Sequence, residues 1–270
     1  MTASISSAPI QRSAVALFIS DLHLQKAHPR TTQAFYEFLQ THAREAQQLY
    51  LLGDLFEYWA GDDDLETPYN HQIADAIRQL SASGVEVFWI AGNRDFLVGT
   101  DFAQAAGLTL LPDPFVATIA GRRIALAHGD AQCTDDLDYM AFRAQVRQPQ
   151  WQQQFLALPL AQRKAIIAGA RKESREEQRH KSTEIMDVNP QAVATLFTET
   201  ATDTLIHGHT HRPGLHSYAA ADASQKRYVL PDWEYDVEIH RGGWISIDTE
   251  GVIRRFGHDG SELNEFKNPK

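Results

Sequence analysis

Asp21 and His23, in the string Asp-Leu-His, set a carboxylate and an imidazole two residues apart, and donors of the same kind recur along the chain. Gly53-Asp54 offers a second carboxylate. Gly92-Asn93-Arg94-Asp95 offers an amide oxygen beside a guanidinium. His128-Gly129-Asp130 and Gly208-His209-Thr210-His211 add three imidazoles. The oxygen donors Asp21, Asp54 and Asn93 and the nitrogen donors His23, His128, His209 and His211 exceed what one tetrahedral ion takes up. They suit two divalent ions with a shared carboxylate, and the oxygen–imidazole mixture suits Mn²⁺, Fe²⁺ or Zn²⁺. Such a pair polarises a phosphoryl oxygen and acidifies water, the chemistry of phosphoester hydrolysis. Taken singly, each string has a bland reading: Gly-Asp is commonly a turn, and Asp-x-His a cap followed by a surface histidine. Taken together they are harder to dismiss, and four of the twelve histidines fall between His207 and His216.

Each donor closes an apolar run. Residues 14–20, 48–52, 85–91, 122–127 and 204–206 read as strands, and a polar, metal-competent residue follows each. Ligand sites of open α/β sheets lie at the carboxyl ends of strands, so five distant segments are expected to meet at one edge. Helical spacing covers 31–44, 70–81 and 101–106, with Gly107 at a C′ position. Runs that are apolar on both faces suit central strands covered on both sides. The alternation predicts an α/β layered fold whose first sheet is largely parallel. Strand-like pieces at 227–230, 237–239 and 244–247 imply a second sheet packed on the first. Residues 138–183 lack a strand pattern. Pro149 and Pro159 divide them into two or three helices anchored by Trp151, Phe155, Leu156, Leu158, Ile166 and Ile167. This stretch reads as a helical insertion. Asn189-Pro190 then fits an N-cap followed by Pro at N1.

A chain of 270 residues, 43% hydrophobic and 22% charged, is long enough for one large core. No stretch approaches the roughly 20 apolar residues of a membrane span. The single cysteine, Cys133, excludes a disulfide framework and a cysteine-rich zinc site, and fits a reducing cytoplasm. It reads as a small buried side chain, not a nucleophile. A net charge of −10 argues against nucleic acid as a partner. Residues 1–12 are Ser/Ala-rich and are expected to form a disordered tail, not a signal peptide, ahead of one domain over 13–270.

The five strings resemble those of the calcineurin-like metallophosphoesterases. The resemblance implies a four-layer α/β sandwich, two mixed sheets flanked by helices, here with a helical lid insertion. It also implies that Asp21, His23, Asp54 and His211 hold one ion while Asp54, Asn93, His128 and His209 hold the other, Asp54 bridging. Most of that superfamily has His after the Asn; Arg94 stands there in this chain. The longer strings Gly53-Asp-Leu-Phe-Glu57, Gly61-Asp-Asp-Asp64, Gly92-Asn-Arg-Asp-Phe-Leu97, Cys133-Thr-Asp-Asp136, Ile185-Met-Asp-Val-Asn189 and Ile206-His-Gly-His-Thr-His-Arg-Pro213 are similar to the UDP-2,3-diacylglucosamine hydrolases of lipid A biosynthesis.

That family resemblance implies hydrolysis of the nucleotide-sugar pyrophosphate to UMP and 2,3-diacylglucosamine 1-phosphate. Metal-activated water attacks the phosphorus next to uridine, with two Mn²⁺ per subunit. Asn93, Arg94, His128 and His209 would be catalytic, and Asn93, Arg94, Asp136, Ser174, Gln178, Lys181 and His209 would contact substrate. Gln178 departs from the Asn of the family pattern. A monomer is expected, cytoplasmic and peripheral on the inner membrane. Arg94 reads as a fork onto phosphate oxygens or as a partner of Asp95. Between residues 163 and 181 seven basic residues stand against three acidic ones, so the insertion reads either as a phosphate-gripping lid or as a solvated helix face. Its apolar anchors fit an acyl pocket or the insertion's own core. Two rivals stay open: another metallophosphoesterase, and a metal-free scaffold of the same fold.

Overall fold

In β1 (Ala14–Ile19), Ala16 and Phe18 face one side and Leu17 and Ile19 the other, and all four are buried. Such a strand must be covered twice. The same holds for β2 (Ala46–Leu52) and β3 (Glu86–Ile90). The computed structural model describes residues 14–178, 187–219 and 224–263, the side chains of 173–178 and 219 excepted. In it β1, β2, β3 and β4 (Thr109–Leu111) are parallel neighbours. β10 (Gly243–Asp248) joins β1 antiparallel, and β11 (Ile253–Gly257) closes that edge, giving the order β11-β10-β1-β2-β3-β4.

The second sheet runs in the order β5-β6-β7-β9-β8. It holds β5 (Phe115–Ile119), β6 (Arg122–Leu126), β7 (Thr204–His207), β8 (Gly214–Ala219) and β9 (Ser224–Val229). Phe18, Tyr50, Leu52, Ile90 and Ile245 of one sheet meet Ile124, Leu126, Ile206 and Leu230 of the other, the inner core of the sandwich. Outside the first sheet lie α1 (Pro29–Gln40), α2 (Pro68–Ala82) and α3 (Thr100–Ala106). Outside the second lies α7 (Pro190–Thr200), through Val193, Leu196 and Phe197 on Ala125 and Leu205. The layers are helix, sheet, sheet, helix, as expected. Before α7 come the helices of the insertion, α4 (Leu137–Val146), α5 (Pro149–Leu156) and α6 (Leu160–Gln178).

Local signals set the element ends. Gly107 takes a left-handed φ of 65° after α3. Asn189 caps α7, its Oδ1 accepting from Gln191 and Ala192 at 2.8 and 3.2 Å, with Pro190 at N1. The predicted helix 31–44 instead ends at Gln40 and tightens into a 3₁₀ turn, His42–Glu45. Two of the three C-terminal expectations need correction. Residues 227–230 supply the second sheet, but 244–247 belong to β10 of the first. Residues 237–239 form no strand: Ile239 is 79% exposed, so this apolar stretch had no face to bury. The strands β4, β5, β8 and β11 carry too little apolar alternation to be read beforehand. β8 and β11 are edge strands, and β5 pairs at the far edge through a tight hairpin.

The insertion's anchors are neither an isolated core nor an open pocket wall. Phe155 joins the core of the first sheet's outer face, with Trp151, Leu158 and Ile167 packed against it. Trp151 stacks on Phe155 at 4.9 Å and leans on Phe96 at 6.3 Å. Leu156 and Ile166, together with Leu137 and Phe142, are exposed.

Candidate metal centre

The carboxyl ends of β1, β2, β3, β6 and β7 bring together Asp21 and His23, Asp54, Asn93, His128, and His209 and His211. Two groups form. In one, Asp21 Oδ1 stands 3.5 Å from His211 Nε2, the Nε2 atoms of His23 and His211 face each other at 3.3 Å, and His23 Nδ1 lies 4.0 Å from Asp54 Oδ2. In the other, Asn93 Oδ1 is 3.0 Å from both His128 Nε2 and His209 Nδ1, and His128 Nε2 is 3.7 Å from Asp54 Oδ1. Asp54 thus presents one oxygen to each group. Asp21, Asp54 and His128 are fully enclosed. Asp21 Oδ1 and His23 Nδ1 are buried without a hydrogen-bond partner, a costly state that a cation relieves. The donors fit divalent ions.

The backbone is bent to make this convergence. Asp21, His23, Asp54, His209 and His211 all adopt positive φ, between 49° and 67°. Left-handed backbone is costly for such residues and persists where the surroundings over-determine it, typically at functional sites. Close approach also demands glycine. A side chain at Gly92 would overlap Asp54, and one at Gly208 would overlap Asp21 and Ser20. Asp95 is the post of the assembly: its carboxylate accepts from the backbone of Asp54, Leu55, Phe56 and Gly92 at 2.8 to 3.3 Å. It therefore stiffens the loops and does not pair with Arg94. Across the sandwich, Asp21 Oδ2 accepts from His209 N at 2.8 Å, and within the second sheet's edge Gly208 N donates to His128 O at 2.9 Å.

Charge follows burial and neighbours. Burial disfavours the Asp21 carboxylate, but His211 beside it and the charges of His128 and His23 hold it well below the usual carboxylate range. Burial, then the Asp54 charge, pushes Asp95 up to about 7 against its backbone donors, and cations in the site would offset the Asp54 contribution. Burial and the charge of His128 lower His209 to about 4, and burial with the charge of Arg94 lowers His23 well below its ordinary value. Both rings are neutral at pH 7, the form that ligates metal. Burial also resists protonation of His128, yet Asp54, Asp21 and Asp130 raise it to about 9. Burial and Asp130 push the Cys133 thiol up to about 12, so it is no nucleophile.

A family model described as calcineurin-like phosphoesterase matches residues 15–213. A UDP-2,3-diacylglucosamine hydrolase of Aromatoleum aromaticum is 51% identical over 242 residues, covering 90% of this chain and 97% of the relative. Those of Escherichia coli O6:H1 and Cellvibrio japonicus are 50% and 46% identical, over 87% and 88% of this chain and 96% and 97% of the relatives. The chain belongs to the calcineurin-like phosphoesterases, in the UDP-2,3-diacylglucosamine hydrolase family. Membership in that phosphoesterase family implies divalent metal ions, which the donor set above accommodates.

Around the centre of this hydrolase-family chain lie the residues expected to meet substrate. Arg94 donates through its backbone to Asp54 Oδ1 at 2.8 Å and through Nη1 to Glu57 Oε2 at 2.6 Å. Asp136 caps α4 by accepting from Tyr139 N at 3.1 Å. Ser174 and Gln178 fall on the last turns of α6 with side chains outside the described residues, and Lys181 lies wholly outside them. Of the seven basic residues between 163 and 181, three are engaged in docking: Arg163 to Ala60 O and Asp63, Lys164 to Asp64 at 2.5 Å, and Arg171 to Glu57. Sequence reasoning missed Glu57 and Tyr139. Tyr139 stacks over His209 at 6.2 Å and donates to buried Asp130 at 2.6 Å. Only the cluster of acids at 57–64 opposite a basic helix hinted at the first, and nothing at the second. His207 is structural, its Nδ1 on Gly208 O at 2.8 Å and its Nε2 on Arg227 at 3.2 Å.

Proposed function

We propose that this chain hydrolyses the pyrophosphate bond of UDP-2,3-diacylglucosamine, releasing UMP and 2,3-diacylglucosamine 1-phosphate for lipid A synthesis. The observation that carries the reading is the placement of Arg94, backbone-bonded to Asp54 and with its guanidinium beside the two donor groups. An arginine does not give up its proton at physiological pH. It therefore suits a leaving group that needs charge neutralised, not one that needs a proton. A sugar phosphate, with a second pKa of about 6, is such a group; an alkoxide is not.

Asp21, His23, Asp54 and His211 would hold one ion, and Asp54, Asn93, His128 and His209 the other, both Mn²⁺. Bound divalent ions supply charge neutralisation at phosphate and acidify water. The chain's own residues do the rest. Asn93 and His209, on opposite sheets, orient the phosphate at the shared edge, and neutral His209 remains available as a ligand. Arg94 forks onto phosphate oxygens as negative charge moves to the bridging oxygen. Water adds to the phosphorus next to uridine, and the bond from that phosphorus to the bridging oxygen breaks.

Residues 137–178 act as a lid over the acyl chains, within one domain over 13–270, and Asp136, Ser174, Gln178 and Lys181 contribute substrate contacts. The protein would act as a monomer on the cytoplasmic membrane face, and the exposed Leu137, Phe142, Leu156 and Ile166 of the insertion support the peripheral contact. No helix among the described residues is long and apolar enough to cross a membrane. Hydrolysis of the nucleotide lipid in ¹⁸O-water by Mn²⁺-loaded protein tests the reaction. Label is expected in UMP; label in the sugar phosphate would place the attack on the other phosphorus.

A further inference from the structure

Glu57 stands where three parts of the molecule meet. Its Oε2 accepts from Arg94 Nη1 at 2.6 Å and lies 3.7 Å from His23 Nδ1. Its Oε1 accepts from Arg171 Nη2 of α6, and its backbone carbonyl accepts from Arg171 Nη1. One carboxylate therefore binds the lid helix with one oxygen and the phosphate-facing arginine with the other. Arg163 and Lys164 lie two turns earlier on α6, on the same face as Arg171. They seat that face on Ala60, Asp63 and Asp64. The helix is thus fastened along residues 57–64, and Arg163 is only 2% exposed. Among the described residues, Glu57 is the docking acid that also grips Arg94, and it sits at the end of the seam nearest the metal centre.

We propose that Glu57 is a positioning residue that couples the seating of α6 to the aim of Arg94. With α6 seated, Arg171 fixes the Glu57 carboxylate, and that carboxylate fixes the Arg94 guanidinium beside Asp54, where it stands 3.5 Å from Oδ2. With α6 unseated, the carboxylate rotates freely and the guanidinium follows it. The alternative is that Glu57 only anchors the helix. The proposal rests on the reading that Arg94 meets the substrate phosphates.

A double-mutant cycle on kcat/KM with UDP-2,3-diacylglucosamine, alongside hydrogen exchange of the α6 amides, separates the two. Glu57→Ala should lose about ten- to a hundredfold, chiefly in kcat. In an Arg94→Ala background the same change should cost under about threefold, because its target is gone. Exchange in α6 should quicken in Glu57→Ala and Arg171→Ala but not in Arg94→Ala. Should Glu57→Ala fold poorly, Glu57→Gln keeps the shape without the charge and should show the same non-additivity with smaller losses. Losses from Glu57 and Arg94 that multiply in full, or α6 exchange unmoved by Glu57→Ala, would overturn the proposal in an active wild type. Absence of wild-type turnover would instead overturn the functional reading on which it stands.

Discussion

Asp54 and Asp95 are both buried aspartates on neighbouring loops, yet their jobs differ. Asp54 offers an oxygen to each donor group, whereas every lone pair of Asp95 in use is spent on backbone N–H groups. Asp54→Ala should abolish turnover almost wholly and reduce bound metal, measured on chelator-stripped, Mn²⁺-reloaded protein. Near-normal turnover would sink the two-ion model. Asp95→Asn turns an amide N–H₂ against backbone N–H groups and should cost about 2–3 kcal/mol of stability. Denaturant midpoints check it, and an unchanged midpoint would mean that the loops are held by other contacts. All seven donors were legible from residue type and position after apolar runs. Their left-handed backbone was not, because φ at an Asp or His is imposed by tertiary contacts and leaves no mark on sequence. Arg94 read as a fork onto phosphate oxygens or as a partner of Asp95, and the second alternative falls: Asp95, adjacent in sequence, points into the loop, while Glu57 reaches the guanidinium through space.

At the scale of elements, α6 rides on a loop that must make room for it. Gly61 has φ +122°, and a methyl group there would overlap Arg163 and Leu156. Gly61→Ala should unseat the helix and lower kcat/KM on the lipid substrate about tenfold or more, while a small activated phosphodiester, too short to use the insertion, loses far less. Equal losses on both would make the loop a support of the metal site itself. A second seam joins the loop before β10 to the start of α1. Asp236 accepts from the N–H groups of Arg30 and Thr31 at 3.0 and 2.9 Å, capping α1 from a distance of two hundred residues. Burial opposes its ionised form, but these donors, with the Thr31 hydroxyl and the charge of His28, together lower its pKa. A lowered carboxyl stabilises above its unfolded pKa of about 4 and loses that contribution as pH falls through the folded value. Asp236→Ala should therefore cost roughly 1 kcal/mol at pH 7 and progressively less toward pH 3, read from melting curves. Neither seam was visible beforehand. Both join residues too far apart for any periodicity to record, whereas the helices themselves announced their faces.

For the molecule as a whole, the origin of the donors matters more than their number. Asp21, His23, Asp54 and Asn93 follow strands of the first sheet; His128, His209 and His211 follow strands of the second. Ions bound at a thousandfold over their dissociation constant would add about 4 kcal/mol to stability, or very roughly 10 °C in melting temperature. Calorimetry before and after chelation measures this. A shift under about 2 °C would mean that the sheets hold the site rather than the reverse. The split also has a consequence for how the chain is made. His209 and His211 are synthesised long after Asp21, so the complete set of donors exists only once both halves of the sandwich have been made and joined. Metal retention would then act as a proofreading step: a nascent or misjoined chain releases its ions, and only one whose halves have closed in register keeps them and turns over substrate.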